Sequence, residues 1–195
     1  KMRGGCDLLG YEQSGGMHAL GYIIYMDMLE RAVKAIQEGR TPLADEPLAL
    51  HSDINLRLPA LIPDDYLPDI QLRLMMYKRI ASSRDTSTLQ ELKVEMIDRF
   101  GLLPTSAQNL FAVQEIQIQA HQMGIHRLDA SAEHGRIEFS PQTRVNPANL
   151  IRLIQSAPRC YKLEGSTRLR FNLAMATPQQ RIEQVHELLN ALSKP

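Results

Sequence analysis

The strongest constraint on this chain's fold is a change of apolar period at Gly124. From residue 85 to Met123 apolar residues recur every three or four positions: Leu89, Leu92, Met96 and Phe100 make one stripe, and Leu110, Val113, Ile116, Ala120 and Met123 a second. After Gly124, residues 125–130 and 136–140 read as short strands around a Glu133-His134-Gly135 turn. Asn146-Pro147 then opens a helix through Leu150, Leu153 and Ile154. Residues 160–163 and 167–173 form a second hairpin around Glu164-Gly165-Ser166. A last helix starts at Thr177-Pro178, with Ile182, Val185, Leu188, Leu189 and Leu192 on one side. Helices followed by two hairpin-plus-helix units predict an α+β domain, with helices packed on a small antiparallel sheet or sheets.

Upstream, Tyr22, Met26, Leu29, Val33 and Ile36 step by four and three, so residues 17–38 predict a long helix. Its length of roughly 33 Å is enough to connect two bodies. Residues 41–47, with Pro42, Asp45, Glu46 and Pro47, read as a linker. The division expected is residues 1–47 as a connector and residues 48–195 as a compact domain. Residues 48–58 predict a half-buried strand, with Leu48, Leu50, Ile54, Leu56 and Leu58 facing in and Ser52 as the exception. His51, Asp53, Asn55 and Arg57 face out. A proline-punctuated loop follows, in which Asp64 and Asp65 are expected to cap the next helix. That helix runs to about Ala81, with Ile70, Leu74, Tyr77 and Ile80 or Ala81 inward.

Length and charge narrow the function classes. At 195 residues the chain can hold one domain with a sizeable core plus an appendage. Its 22 basic residues balance 22 acidic ones, without the basic excess of a dedicated nucleic-acid binder. No apolar run approaches the ~20 residues of a membrane span, and no signal peptide opens the chain. Cys6 and Cys160 read as reduced thiols of a cytoplasmic protein. No phosphate loop with its lysine, acidic helicase box, nucleophile elbow, zinc-protease motif or zinc-spaced cysteine set is present, so no catalytic residue and no bound metal is expected.

Two charged surfaces stand out. In the helix that residues 85–88 can cap and that ends at Gly101, Glu91, Glu95 and Asp98 fall at i, i+4 and i+7 and share one stripe. They form either a solvated face or a docking strip for a basic partner. Arg168 and Arg170 share the outer face of a strand, with Lys162 nearby. This basic sheet face is the alternative, a grip on nucleic-acid phosphates.

Arg3 to Gly15, read R-G-G-C-D-L-L-G-Y-E-Q-S-G, resembles the end of the translocation motif shared by the bacterial transcription-repair coupling factor (Mfd) family and the RecG helicases. Gly5-Cys6 stands where that motif has Ala-Gly. The stretches L-P-D-D-Y-L-P-D, Y-K-R-I-A-S and K-V-E-M-I-D-R-F-G-L-L-P resemble the C-terminal domain of the Mfd family in particular. The resemblance implies that Arg3 and Gln13 couple ATP turnover to movement along DNA in a parent translocase. That parent would bind ATP and magnesium in its motor, while this fragment carries no cofactor. It would act on RNA polymerase stalled on double-stranded DNA and recruit UvrA for nucleotide excision repair. The C-terminal domain would be a regulatory, autoinhibitory module docked on the parent's own UvrB-like N-terminal module, with Glu95 and Asp98 first among the contacts.

Overall fold

A computed structural model of the chain describes residues 52–193. The long helix of residues 17–38, the linker, Arg3, Gln13 and the proposed boundary near residue 47 lie outside them. Five strands and five helices occur in the order β1 (Asp53–Asn55), α1 (Ile70–Ser82), α2 (Thr86–Phe100), α3 (Thr105–Gln122), β2 (Ile125–Ala130), β3 (His134–Phe139), α4 (Pro147–Ser156), β4 (Tyr161–Glu164), β5 (Arg168–Asn172) and α5 (Pro178–Ser193). The class is α+β, with all five strands in a single sheet of order β1-β2-β3-β5-β4.

The sheet is mixed. Both predicted hairpins form, the first turning over residues 131–133 with His134 and Gly135 already in β3, and β3 pairs antiparallel with β5 to join them, but β1 runs parallel to β2. Hairpin signals fix only strands adjacent in sequence. Three helices separate β1 from β2, and a long crossover permits parallel pairing. β1 is also shorter than expected. Ser52, the exception in the alternating pattern, is buried and donates its hydroxyl to the Ile125 carbonyl, so this face of the strand carries a satisfied polar group.

One face of the sheet packs on the helices. Leu128, Ile137, Leu169 and Phe171 are fully buried there. Gly135 lies opposite Phe171 across β3 and β5, and a Cβ at that position would overlap the Phe171 ring. α3 is the central helix, in contact with β1, β2, α1, α2 and α5, while α4 leans on α5 and β4. Met123, buried at its end, and Gly124, with φ +68, close it as the period change predicts.

Asp69, rather than Asp64 or Asp65, caps α1: its carboxylate accepts from the Leu72 N–H at 3.0 Å. Asp64 and Asp65 sit in a turn instead, too far ahead of the first helical residue to reach its free N–H groups. Ile70, expected inward, is 62% exposed. It opens the helix at the rim of the core, and Met76, Tyr77 and Ile80 supply the buried side.

Candidate functional site

The stripe singled out in the sequence lies on α2, and three anchors hold that helix. Asp85 caps its start, accepting from the Thr88 N–H at 2.7 Å, while the Ser87 hydroxyl, the Thr88 N–H and the Thr88 hydroxyl together hold the Asp85 carboxyl below its usual range. Leu89, Leu92 and Met96 bury the inner side, with Phe100 partly covered. At the far end the Tyr66 hydroxyl donates to the Gly101 carbonyl at 2.9 Å, and its ring meets Phe100 edge-on at 6.3 Å. Arg99 lies over the other ring partner, 4.9 Å from the Phe100 centroid.

The outer side differs from a plain acidic stripe. Arg79 of α1 donates both terminal N–H groups to Glu95, at 2.7 and 2.6 Å, in a two-pronged pair. Arg99 adds a third bond at 2.9 Å. The Arg79 hydrogen bonds first, then that of Arg99, hold the Glu95 carboxyl down at about 2. Glu95 is therefore the brace between α1 and α2, and its charge is matched within the fold. The i,i+4 spacing to Arg99 was readable in the sequence; the Arg79 partner, from another helix, was not. Among the described residues Glu91 and Asp98 enter no ion pair, and both are exposed. They are the carboxylates left to face a partner.

Two exposed apolar side chains, one on the helix and one just past its end, were missed. Val94 is 55% exposed and Leu102, just past the glycine that ends the helix, 86%. Glu91, Glu95 and Arg79 also line a shallow groove of about 260 Å³ with Ser82, Ser83 and Thr88. The face thus combines exposed apolar groups with a charged surround, the composition of a docking surface, where apolar contacts give affinity and charges give register.

The basic sheet face is also present, with both of its arginines paired. Arg168 pairs with Glu138 at 3.1 Å and Arg170 with Glu164 at 3.2 Å. Lys162 sits opposite Arg170 on β4. Arg127 binds Asp129 at 2.6 Å. Cations and carboxylates alternate over this face, and a line of phosphates crossing it would meet both signs.

Arg181 is the functional-looking residue that sequence reading passed over. It is 5% exposed, and its guanidinium donates to the carbonyls of Leu56 at 2.7 Å, Arg57 at 2.8 Å and Met175 at 3.1 Å. Burial first, and the Arg57 charge second, push its pKa down. Its position four residues before Val185 and seven before Leu188 placed it on the core side of α5. Among the described residues no group of three or more potential metal-binding side chains occurs, and no helix is long and apolar enough to cross a membrane.

Residues 56–150 match the TRCF domain family. The whole chain is 43% identical, over 194 residues, to the transcription-repair-coupling factor of Escherichia coli K12, and 43% over 193 residues to that of Haemophilus influenzae. It spans 17% of the length of each of these relatives. Its fold is similar to a crystal structure of the C-terminal domain of transcription-repair coupling factor, with a TM-score of 0.62 at 19% identity, covering 74% of this chain and 94% of that one. The chain is thus similar to transcription-repair-coupling factors over its length, and its fold is similar to that of the matched C-terminal domain.

Proposed function

We propose that this chain carries the C-terminal regulatory module of an Mfd-like, ATP-dependent DNA translocase. In the parent, the α2 face would dock on the UvrB-like N-terminal module and cover the surface that recruits UvrA. Engagement of stalled RNA polymerase and DNA would release it. The observation that carries this reading is the α2 face: exposed Val94 with Glu91 and Asp98, and exposed Leu102 just past the end of the helix, which is fixed by Glu95, Tyr66 and Asp85.

The docking has to be stable in one state of the parent and lost in the other. A closed-state preference of ~3 kcal/mol would keep the surface covered about 99% of the time. Burying one leucine side chain is worth about 1.5–3 kcal/mol before the costs of association. Leu102 and Val94 would thus supply much of the affinity, and Glu91 and Asp98 its direction and salt dependence. The role expected for Glu95 changes accordingly: it would position the helix and meet the partner only through its own brace.

The test is UvrA binding by the full-length parent. Glu91→Lys with Asp98→Lys should raise it to the level of a parent lacking this domain. Unchanged UvrA binding in that variant would reduce the face to a solvated surface. The other reading, a DNA-gripping arm built on Lys162, Arg168 and Arg170, is disfavoured by the Glu138 and Glu164 pairings. Steep loss of duplex affinity with salt, abolished by Arg168→Ala with Arg170→Ala, would revive it.

A further inference from the structure

On the open face of the sheet, away from the helices, lies a basin of about 420 Å³. Four arginines line it, Arg57, Arg127, Arg136 and Arg170, with His134 and a single carboxylate, Asp129. Three carboxylates reach three of these arginines, and one of them is shared. Glu164 serves both Arg170, at 3.2 Å, and Arg136, at 3.9 Å. Asp129 and, at 3.7 Å, Asp53 serve Arg127. Arg57 enters no ion pair among the described residues.

Arg57 is also the one non-glycine residue with positive φ among the described residues, at +51. Its side chain is exposed, so packing does not require an arginine there. Glycine or asparagine would hold this backbone at lower cost, by about 1 kcal/mol. The conformation is fixed from below: buried Arg181 grips the carbonyls of Leu56 and Arg57, and the Asn55 side chain accepts from the Arg57 N–H at 3.3 Å. A strained backbone, held by a buried cation that itself sits near the Arg57 charge, delivers one more guanidinium to a basin already rich in them. Strain kept in place by such a support marks positions where the side chain has a task.

We propose that this basin binds a carboxylate-rich protein segment, with Arg57 as the principal contact and Arg127, Arg136 and Arg170 around it. A guanidinium fork takes a carboxylate through two parallel N–H bonds, and an incoming acidic side chain can share Arg136 and Arg170 with Glu164. A single-stranded nucleic acid fits less well, because no Phe, Tyr or Trp lines the basin for a base to stack on. The site is independent of the α2 face, which lies among the helices on the other side of the sheet.

The experiment is an amide-shift titration of the isotope-labelled full chain with a short poly-glutamate peptide at low salt, alongside a short DNA duplex. The variants are Arg57→Gly, which removes the guanidinium while relieving the backbone, and Arg57→Lys. Saturable shifts at Arg127, Ser131, His134 and Arg136 are expected, with affinity falling about tenfold in Arg57→Gly and partly restored in Arg57→Lys. A urea midpoint in Arg57→Gly no lower than that of the wild-type chain would assign that fall to the lost contact. Three results would overturn the proposal: no saturable shift at these amides, equal affinity in Arg57→Gly, or tighter binding of the duplex at the same amides.

Discussion

Replacing Arg181 by methionine should be among the most damaging single changes in the domain. The side chain ties the stretch just after β1, more than a hundred residues away, to α5 and to the segment that precedes it. Methionine keeps much of the volume and removes the donors. The carbonyls of Leu56 and Met175, both on buried residues, would then be left without their partner. Each buried acceptor so orphaned costs about 1–3 kcal/mol. Relief from desolvating the guanidinium offsets part of this, since a buried charge is itself expensive. The balance is a loss of about 2–4 kcal/mol. With a urea dependence of about 2 kcal/mol per molar for a domain this size, the midpoint should fall by about 1–2 M. Arg181→Lys, with one cationic centre for three carbonyls, should lie between. The assay is equilibrium urea unfolding followed by far-ultraviolet circular dichroism. A midpoint shift below about 0.3 M for Arg181→Met, with an unchanged slope, would refute the reasoning.

Gly135→Ala should destabilise the sheet by about 1–3 kcal/mol, because the new methyl overlaps the buried Phe171 ring; thermal unfolding reads the change. Glu95 gives a pH signature. Its folded pKa, about 2, lies below the ordinary 4.5, so the stability it confers is present above pH 4.5 and disappears as the pH falls toward 2. The gap in urea midpoint between the wild-type chain and Glu95→Gln should therefore narrow over that window, and a constant gap would contradict the Arg79–Glu95–Arg99 brace. Glu95→Lys should lower the unfolding midpoint by setting three cations together, whereas Glu91→Lys with Asp98→Lys should leave it nearly unchanged. His186 is held below its ordinary pKa by burial, against the pull of Glu115, so its contribution to stability should be lost as the pH drops below about 6.5; His186→Gln should flatten that slope in the same assay.

Much of the fold was legible because it is written in local pattern. The stripe of α3, the cap at Asn146, the Gly165 turn with φ +66, and every apolar position assigned to α5 follow from spacing and turn chemistry. The parallel pairing of β1 was not legible, since it depends on where three intervening helices deposit the chain. The capping role of Asp69 was missed because the eye goes to the Asp64-Asp65 pair, while the cap needs one acid at one position relative to the first turn. The α2 face was half legible. Its carboxylates repeat at helical spacing, but their partners come from elsewhere: Arg79 removes Glu95 from the available charges, and no local pattern records that. Leu102 was hidden for the opposite reason. An apolar residue after a glycine stop reads as the start of the next buried element, and here only Leu103 is buried. Arg181 and the turned-out Arg57 each depend on the other's position, a relation over more than a hundred residues of chain.

The most direct test of the central claim is a binding titration of this chain against the UvrB-like N-terminal module proposed for its parent, at low and at physiological salt. The docking account predicts saturable binding that weakens with salt, that falls strongly in Leu102→Ser and in Glu91→Lys with Asp98→Lys, and that is unaffected by Arg57→Gly. Binding that ignores both α2-face variants, or no binding at low salt with the module, would contradict it.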